Sequence, residues 1–167
     1  MTVQTILQYP DPRLRETAKR VVDFDENLAR LADDLVETLY ATTGIGLCAT
    51  QIGDRRALLV MDLSEDHSDP QVYINPQVTA ADVPAYVEES CLSVPDMVGT
   101  VVRNSELDVT AQDVNGETFQ RHLSGMEAIC LQHEMDHLNG TLFVDRLSWF
   151  RRMMFRAKAG REARRAA

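Results

Sequence analysis

The sequence predicts an α+β fold: antiparallel or mixed β-sheets packed around a central helix that carries a His-Glu-x-x-His motif, with an N-terminal helix before it and a C-terminal helix after it. Three observations predict it. Apolar residues recur at three- and four-residue intervals between Asp23 and Tyr40, the period of one helical face. A second bounded helical stretch surrounds His133 and His137. Between the two, short apolar runs follow one another as meander and hairpin and do not alternate with helices, which is the α+β pattern.

Taken in order, Ile6 to Val22 holds Pro10 and Pro12 and reads as an extended segment followed by a turn. In the first helix, Leu28, Leu31, Ala32, Leu35, Val36 and Leu39 form one stripe; Asp23 or Asp25 can cap its start, and Gly44 follows its end. Gly44-Ile45-Gly46-Leu47-Cys48-Ala49-Thr50-Gln51 suits neither a helix nor a regular strand. Its two glycines suggest backbone that another group must approach closely. No Lys-Ser/Thr pair follows them, which excludes a phosphate-binding P-loop. Ala57 to Met61 is a continuous apolar strand, Ser64 to Pro70 a polar loop with an exposed His67, and Val72 to Asn75 a strand ended by Pro76. Val98 to Arg103 and Glu106 to Gln112 read as two more strands. Asn115-Gly116 is a hairpin turn with Glu117 to Leu123 returning. Ser124 and Glu127 make a capping box for the motif helix, and Gly140 its C-terminal cap. Leu142-Phe143-Val144 reads as a brief strand, and Trp149 to Arg165 as a basic helix, amphipathic in its first half. Without repeats, low-complexity segments or linkers, residues 1–167 read as one domain.

A hydrophobic content of 44% and a charged content of 26% are those of an ordinary globular chain. No apolar run is long enough to span a bilayer, and no basic start followed by an apolar block marks a secretory signal, so a cytoplasmic location without membrane contact is expected. Cys48, Cys91 and Cys130 are too few and odd in number for a disulfide framework, and point to free or metal-bound thiols. From Ser148 to Ala167 the chain carries seven Lys/Arg against one acid, a net +6 that leaves −15 on the rest of a chain whose total is −9. A basic tail on an acidic body suits a polyanionic partner; it equally suits a solvated helix end whose cations complement the helix dipole.

In a helix, His133 and His137 stand one turn apart on one face and can bind one metal ion through two imidazole nitrogens, while Glu134 leans toward a water on that ion. Two surface histidines on an amphipathic helix would give the same string. For a third ligand, Cys130 shares the face of His133 but lies about 7.5 Å along the axis from the midpoint of the pair, too far for a thiolate that must sit about 2.3 Å from the metal. Cys130 is therefore core or pocket wall. Cys91 is the stronger candidate, because Glu88-Glu89-Ser90-Cys91-Leu92-Ser93-Val94-Pro95 has the small polar residues and closing proline of a loop or strand end. A glutamate, the third ligand of thermolysin-like zinc proteases, stays open as the alternative.

Three stretches, Gly-Ile-Gly-Leu-Cys-Ala-Thr-Gln at 44–51, Glu-Ser-Cys-Leu-Ser at 89–93 and His-Glu-Met-Asp-His at 133–137, resemble the three motifs of peptide deformylases in order and spacing. Tyr-Pro-Asp-Pro-Arg-Leu-Arg at 9–15 and Ile-Asn-Pro at 74–76 are also similar to that family, so the resemblance covers nearly the whole chain. It implies a metal held by Cys91, His133 and His137, iron(II) in the cell, with zinc or nickel able to take the place. It implies hydrolysis of the N-formyl group from formyl-methionyl nascent peptides with release of formate. In that scheme Glu134 carries the proton, and the Gln51 amide and the Leu92 backbone N–H stabilise the oxyanion. Gly44 and Gly46 let the peptide backbone approach, and Ile45, Val87, Glu89, Met126, Ile129, Cys130 and His133 line the methionine pocket. The basic C-terminal helix, 148–167, becomes a candidate ribosome contact. Three positions depart from the family: Cys48 stands where it usually has Ala, Ser90 where it has Gly, and Val98 where many bacterial members have a substrate-contacting Arg. A slow or re-targeted paralogue, a zinc endopeptidase with a Glu ligand, and a non-catalytic metal-binding or ribosome-associated module are the competing readings.

Overall fold

The computed structural model describes residues 2–80, 83–155 and 157. The first long helix, α1, spans Glu26–Tyr40. Asp25 is the residue that caps it, its carboxylate accepting from the backbone N–H groups of Asn27 and Leu28 and so satisfying two of the donors a helix start leaves open. Among the described residues seven strands follow: β1 (Gly46–Cys48), β2 (Leu58–Met61), β3 (Gln71–Ala80), β4 (Pro84–Cys91), β5 (Val94–Asn104), β6 (Glu106–Gln112) and β7 (Thr118–Ser124). The second long helix, α2, is Gly125–Leu138. β1, β2, β3, β6 and β7 form one antiparallel sheet in that order, and β4–β5 is a separate hairpin inserted between β3 and β6. No helix among the described residues is long and apolar enough to cross a membrane.

Both faces of the larger sheet are covered. On β2, Leu58 and Val60 join Leu28, Leu31, Leu35 and Leu39 of α1 in one core. Leu59 and Met61 join Ala128, Cys130 and Leu131 of α2 in another. Successive strand side chains point to opposite faces, so this strand is apolar at every position because it fills two cores. Each fully buried leucine contributes about 2 kcal/mol. A third core lies between the N-terminal segment, the β4–β5 hairpin and the residues after α2, and includes Leu7, Leu14, Val101, Phe143, Leu147 and Phe155.

Several sequence expectations are corrected. Pro76 does not end its strand; β3 runs through it, with a register shift between Ile74 and Gln77. Proline is tolerated at such a bulge because no ladder N–H is needed there. Asn75 takes a positive φ of 52° beside it, and its side-chain amide exchanges hydrogen bonds with the Val21 backbone at 2.8 and 2.9 Å. Residues 142–144 are not a strand: Phe143–Arg146 is a 3-10 turn, closed by Asp145, which accepts from the Leu142 N–H and pairs with Arg15. The capping box at Ser124 does not form. Ser124 is the N-cap residue but makes no side-chain capping bond, and Gly125 (φ 57°) donates its N–H to the Ser105 carbonyl. The 44–51 stretch contains a three-residue edge strand, β1, and then a 3-10 turn, Ala49–Ile52. At the other end of α2 the expectation holds: Gly140 has φ 66°, and a Cβ there would clash with the Arg15 carbonyl oxygen. The C-terminal helix is present over residues 149–155; position 156 and residues 158–167, most of the expected basic tail, lie outside the described residues.

Candidate metal centre

Along β4 the side chains alternate, with Glu89 and Cys91 buried and Glu88 and Ser90 exposed. Two residues along a strand advance about 6.8 Å, and four along a helix about 6 Å. The two steps match, so residues 89 and 91 of the hairpin can meet residues 133 and 137 of α2 one to one. Glu89 Oε2 lies 2.9 Å from His133 Nδ1, and Cys91 Sγ lies 3.2 Å from His137 Nε2. One ligand atom from each of Cys91, His133 and His137 lies within 4.8 Å of the others. With Nδ1 of His133 engaged by Glu89, its Nε2 is the nitrogen left for a metal.

This donor set fits a divalent transition metal: one thiol and two imidazoles, opening onto a cleft where a further ligand can enter. Burial lowers the His133 pKa, but hydrogen bonds with Cys91 and Glu89 outweigh it and raise it to about 10. Burial, and the neighbouring charge of His133, push His137 well below the ordinary imidazole range.

Glu134 projects beside the cluster and is 4% exposed. Its Oε2 has no hydrogen-bond partner among the described residues, and burial drives its carboxyl up to about 7. A Cβ at Gly46 would come within 2.7 Å of Glu134 Oε1 and 2.8 Å of Cys130 Sγ. The close approach expected at this glycine is therefore made, in part, by the chain's own helix. The Gln51 side-chain oxygen accepts the Cys48 N–H at 2.8 Å, which turns the Gln51 amide nitrogen toward Ser93 Oγ (3.1 Å) and Cys91 Sγ (3.9 Å). Leu92 follows Cys91 in the turn between β4 and β5 and faces the same cleft.

The cleft has a volume of about 520 Å³. Gly44, Ile45, Gly46, Val87, Glu89, Met126, Ile129 and Cys130 all line it, with Gln51, Cys91, Leu92, His133 and Glu134; His137 is buried behind Cys91. Cys130 is wall and not ligand, its Sγ 3.7 Å from the Ile45 carbonyl. The rim is anchored by Asp62, whose N–H donates to the Ile45 carbonyl at 2.9 Å. Burial raises the Asp62 pKa, but hydrogen bonds from Ser64, Tyr40 and Asp69 outweigh it and hold the carboxyl at about 2. Of the departures, Ser90 is exposed and keeps a negative φ, so no left-handed strain attends it. Cys48 is wholly buried, and burial pushes its thiol up to about 12. Val98 is exposed.

Sequence reasoning missed Arg103. It is 3% exposed, clamps Glu89 through Nε and Nη2 at 2.7 and 2.9 Å, and reaches Asp136 through Nη1 at 2.7 Å. Asp136 in turn binds Arg146. Burial raises the Glu89 pKa, and the Arg103 and His133 hydrogen bonds outweigh it and bring it down to about 2. Glu89 is thus committed to orienting His133, which removes it as an alternative third ligand. The available signal was period two: Val101 and Arg103 share a strand face, and a charge in an apolar register requires a buried partner.

Comparison with known proteins follows this geometry. The family model described as polypeptide deformylase matches residues 3–153. A peptide deformylase of Hahella chejuensis is 47% identical over 159 residues, 95% of each chain. One from Azotobacter vinelandii is 46% identical over 166 residues, 98% of each chain. Among solved structures, a crystal structure of a peptide deformylase from Legionella pneumophila superposes with a TM-score of 0.90 at 44% identity, covering 98% of this chain and 96% of that one. The Ehrlichia chaffeensis peptide deformylase in complex with actinonin gives a TM-score of 0.90 at 36% identity, covering 97% and 98%.

Proposed function

The chain belongs to the polypeptide deformylase family, and from this premise we propose that it hydrolyses the N-formyl group from the formyl-methionine at the start of nascent polypeptides, releasing formate and a free amine. The observation that carries the assignment to residues is the convergence of Cys91, His133 and His137 at the floor of an apolar cleft that also receives Glu134 and Gln51.

Cys91, His133 and His137 would hold the metal, which we take to be iron(II) in the cell, and zinc or nickel would suit the same donor set. A bound divalent cation supplies Lewis acidity at the formyl carbonyl and lowers the pKa of water to near neutrality. The chain's own groups do the rest. Glu134, buried and unpaired at Oε2, takes the proton of the attacking water and delivers it to the leaving amine nitrogen. The Gln51 amide and the Leu92 N–H donate to the developing oxyanion; one such donor is typically worth ~3 kcal/mol. Glu89 and Arg103 fix the His133 ring. Ile45, Val87, Met126, Ile129 and Cys130 receive the methionine side chain. β1 pairs with β2 on one side only, so its other edge offers backbone to an extended peptide. Protein purified without oxygen and loaded with iron(II) is expected to release formate from a formyl-methionyl peptide; a metal-loaded sample that releases none overturns the assignment.

Nascent chains and three unpaired, buried cysteines suit a cytoplasmic location. The basic C-terminal segment is assigned to the ribosome, on its excess of cations over acids. Truncation is a poor test, because Phe155 packs on Tyr9 with ring centroids 4.8 Å apart. Replacing Lys158, Arg161, Arg164 and Arg165 with glutamine is expected to weaken ribosome co-sedimentation while sparing peptide turnover. Unchanged co-sedimentation removes the tail from that role.

A further inference from the structure

We propose that Ser93 is a positioning residue for the Gln51 amide, selecting which of its two N–H groups faces the substrate; this rests on the reading of Gln51 as an oxyanion donor. Gln51 follows β1 of the large sheet, whereas Ser93 sits in the β4–β5 turn, 42 residues away. Both are buried, at 1% and 0% exposure. A primary amide has one acceptor and two donors, and its terminal torsion has no sharp rotamer preference. Two contacts remove that freedom. The Cys48 N–H takes the Gln51 oxygen at 2.8 Å, and Ser93 Oγ accepts one Gln51 N–H at 3.1 Å. The other N–H is left pointing toward Cys91 Sγ, at 3.9 Å too distant for a strong hydrogen bond. An oxygen arriving beside the metal ligands can displace this long contact and take that N–H.

The backbone around Ser93 is itself tied down. Its carbonyl accepts the Tyr9 N–H at 2.8 Å, and its N–H points at Cys91 Sγ at 3.4 Å. The Gln51 carbonyl accepts the Leu7 N–H at 2.7 Å, and Gln8 Nε2 donates to the Leu92 carbonyl at 2.9 Å. Residues 7–9 therefore strap together the two turns that carry the oxyanion donors. Removing the Ser93 hydroxyl leaves the strap, the Ser93 N–H and the Cys48 N–H on the Gln51 oxygen in place and releases only the nitrogen end of the amide.

The test is a double-mutant cycle on metal-loaded, full-length protein. Ser93→Ala is expected to lower kcat about tenfold with KM and metal content unchanged and a modest fall in Tm from the buried N–H left without an acceptor, and Ser93→Thr, which keeps the hydroxyl, to recover most of both losses. In a Gln51→Ala background, Ser93→Ala is expected to cost nothing further. An unchanged kcat for Ser93→Ala, or the same loss in both backgrounds, overturns the positioning role. The underlying reading fails separately: Gln51→Ala with parental kcat would remove Gln51 as a donor, whatever Ser93 does. If Ser93→Thr does not fold, because its extra methyl enters a closed space, the cycle with alanine alone still decides.

Discussion

Cys91→Ala is expected to abolish stoichiometric metal binding and, with it, all measurable formate release. The remaining pair, His133 and His137, supplies two neutral nitrogens on adjacent helical turns, and no other Cys, Asp or Glu among the described residues joins them in a three-ligand cluster. Glu89, the nearest carboxylate along β4, is clamped by Arg103 and bonded to His133 Nδ1. It cannot turn to the metal without leaving Nε and Nη2 of the buried Arg103 without an acceptor, with only Asp136 still held at Nη1, a cost of about 3 kcal/mol. Metal analysis after gel filtration decides the matter. A thermal shift adds a second readout: chelation should lower the Tm of the parent and leave that of the variant where it is, because only the parent has a bound ion to lose. Full metal content in the variant would bring back a glutamate ligand and the endopeptidase reading with it.

Glu134→Gln is expected to keep the metal and the fold while lowering kcat by roughly 10²–10⁴-fold, the range that general acid–base catalysis contributes. The substitution preserves shape in a tight place, since Glu134 Oε1 borders Gly46 and the residue is 4% exposed. Glutamine can still donate or accept a hydrogen bond there, but it cannot carry a proton from water to amine. The measurement is steady-state turnover on a formyl-methionyl peptide, with metal content and Tm on the same preparation. Turnover within tenfold of the parent would take the proton-carrying role away from Glu134.

Much of this architecture was legible because two periods are hard to disguise. The α1 stripe from Leu28 to Leu39, the doubly buried run at Leu58–Met61 and the Asn115-Gly116 turn all appear where the residue pattern puts them. The site was legible for a related reason. His133 and His137 need only helical geometry, and Cys91 and Gln51 sit in short stretches whose composition suits no regular element. What escaped depends on tertiary context. Nothing in Ile74-Asn75-Pro76 says that the strand continues through a bulge, because the support comes from Val21, 54 residues away. Leu142-Phe143-Val144 looks like a strand because it is buried, while Arg15 and Asp145 make it a turn. Ser93 acts through a partner on another element that spacing along the chain does not show, and period two marks Arg103 as a charge in an apolar register without naming Glu89 and Asp136 as its partners.

The way the metal ligands are divided between elements has a consequence for how the protein is made. Cys91 precedes His137 by 46 positions, with β5, β6, β7 and most of α2 between them. A chain still growing through that interval presents Cys91 without the His133–His137 pair. If these three residues hold the ion, its acquisition awaits the last turn of α2 and the docking of the hairpin against it, and a newly made enzyme becomes competent late.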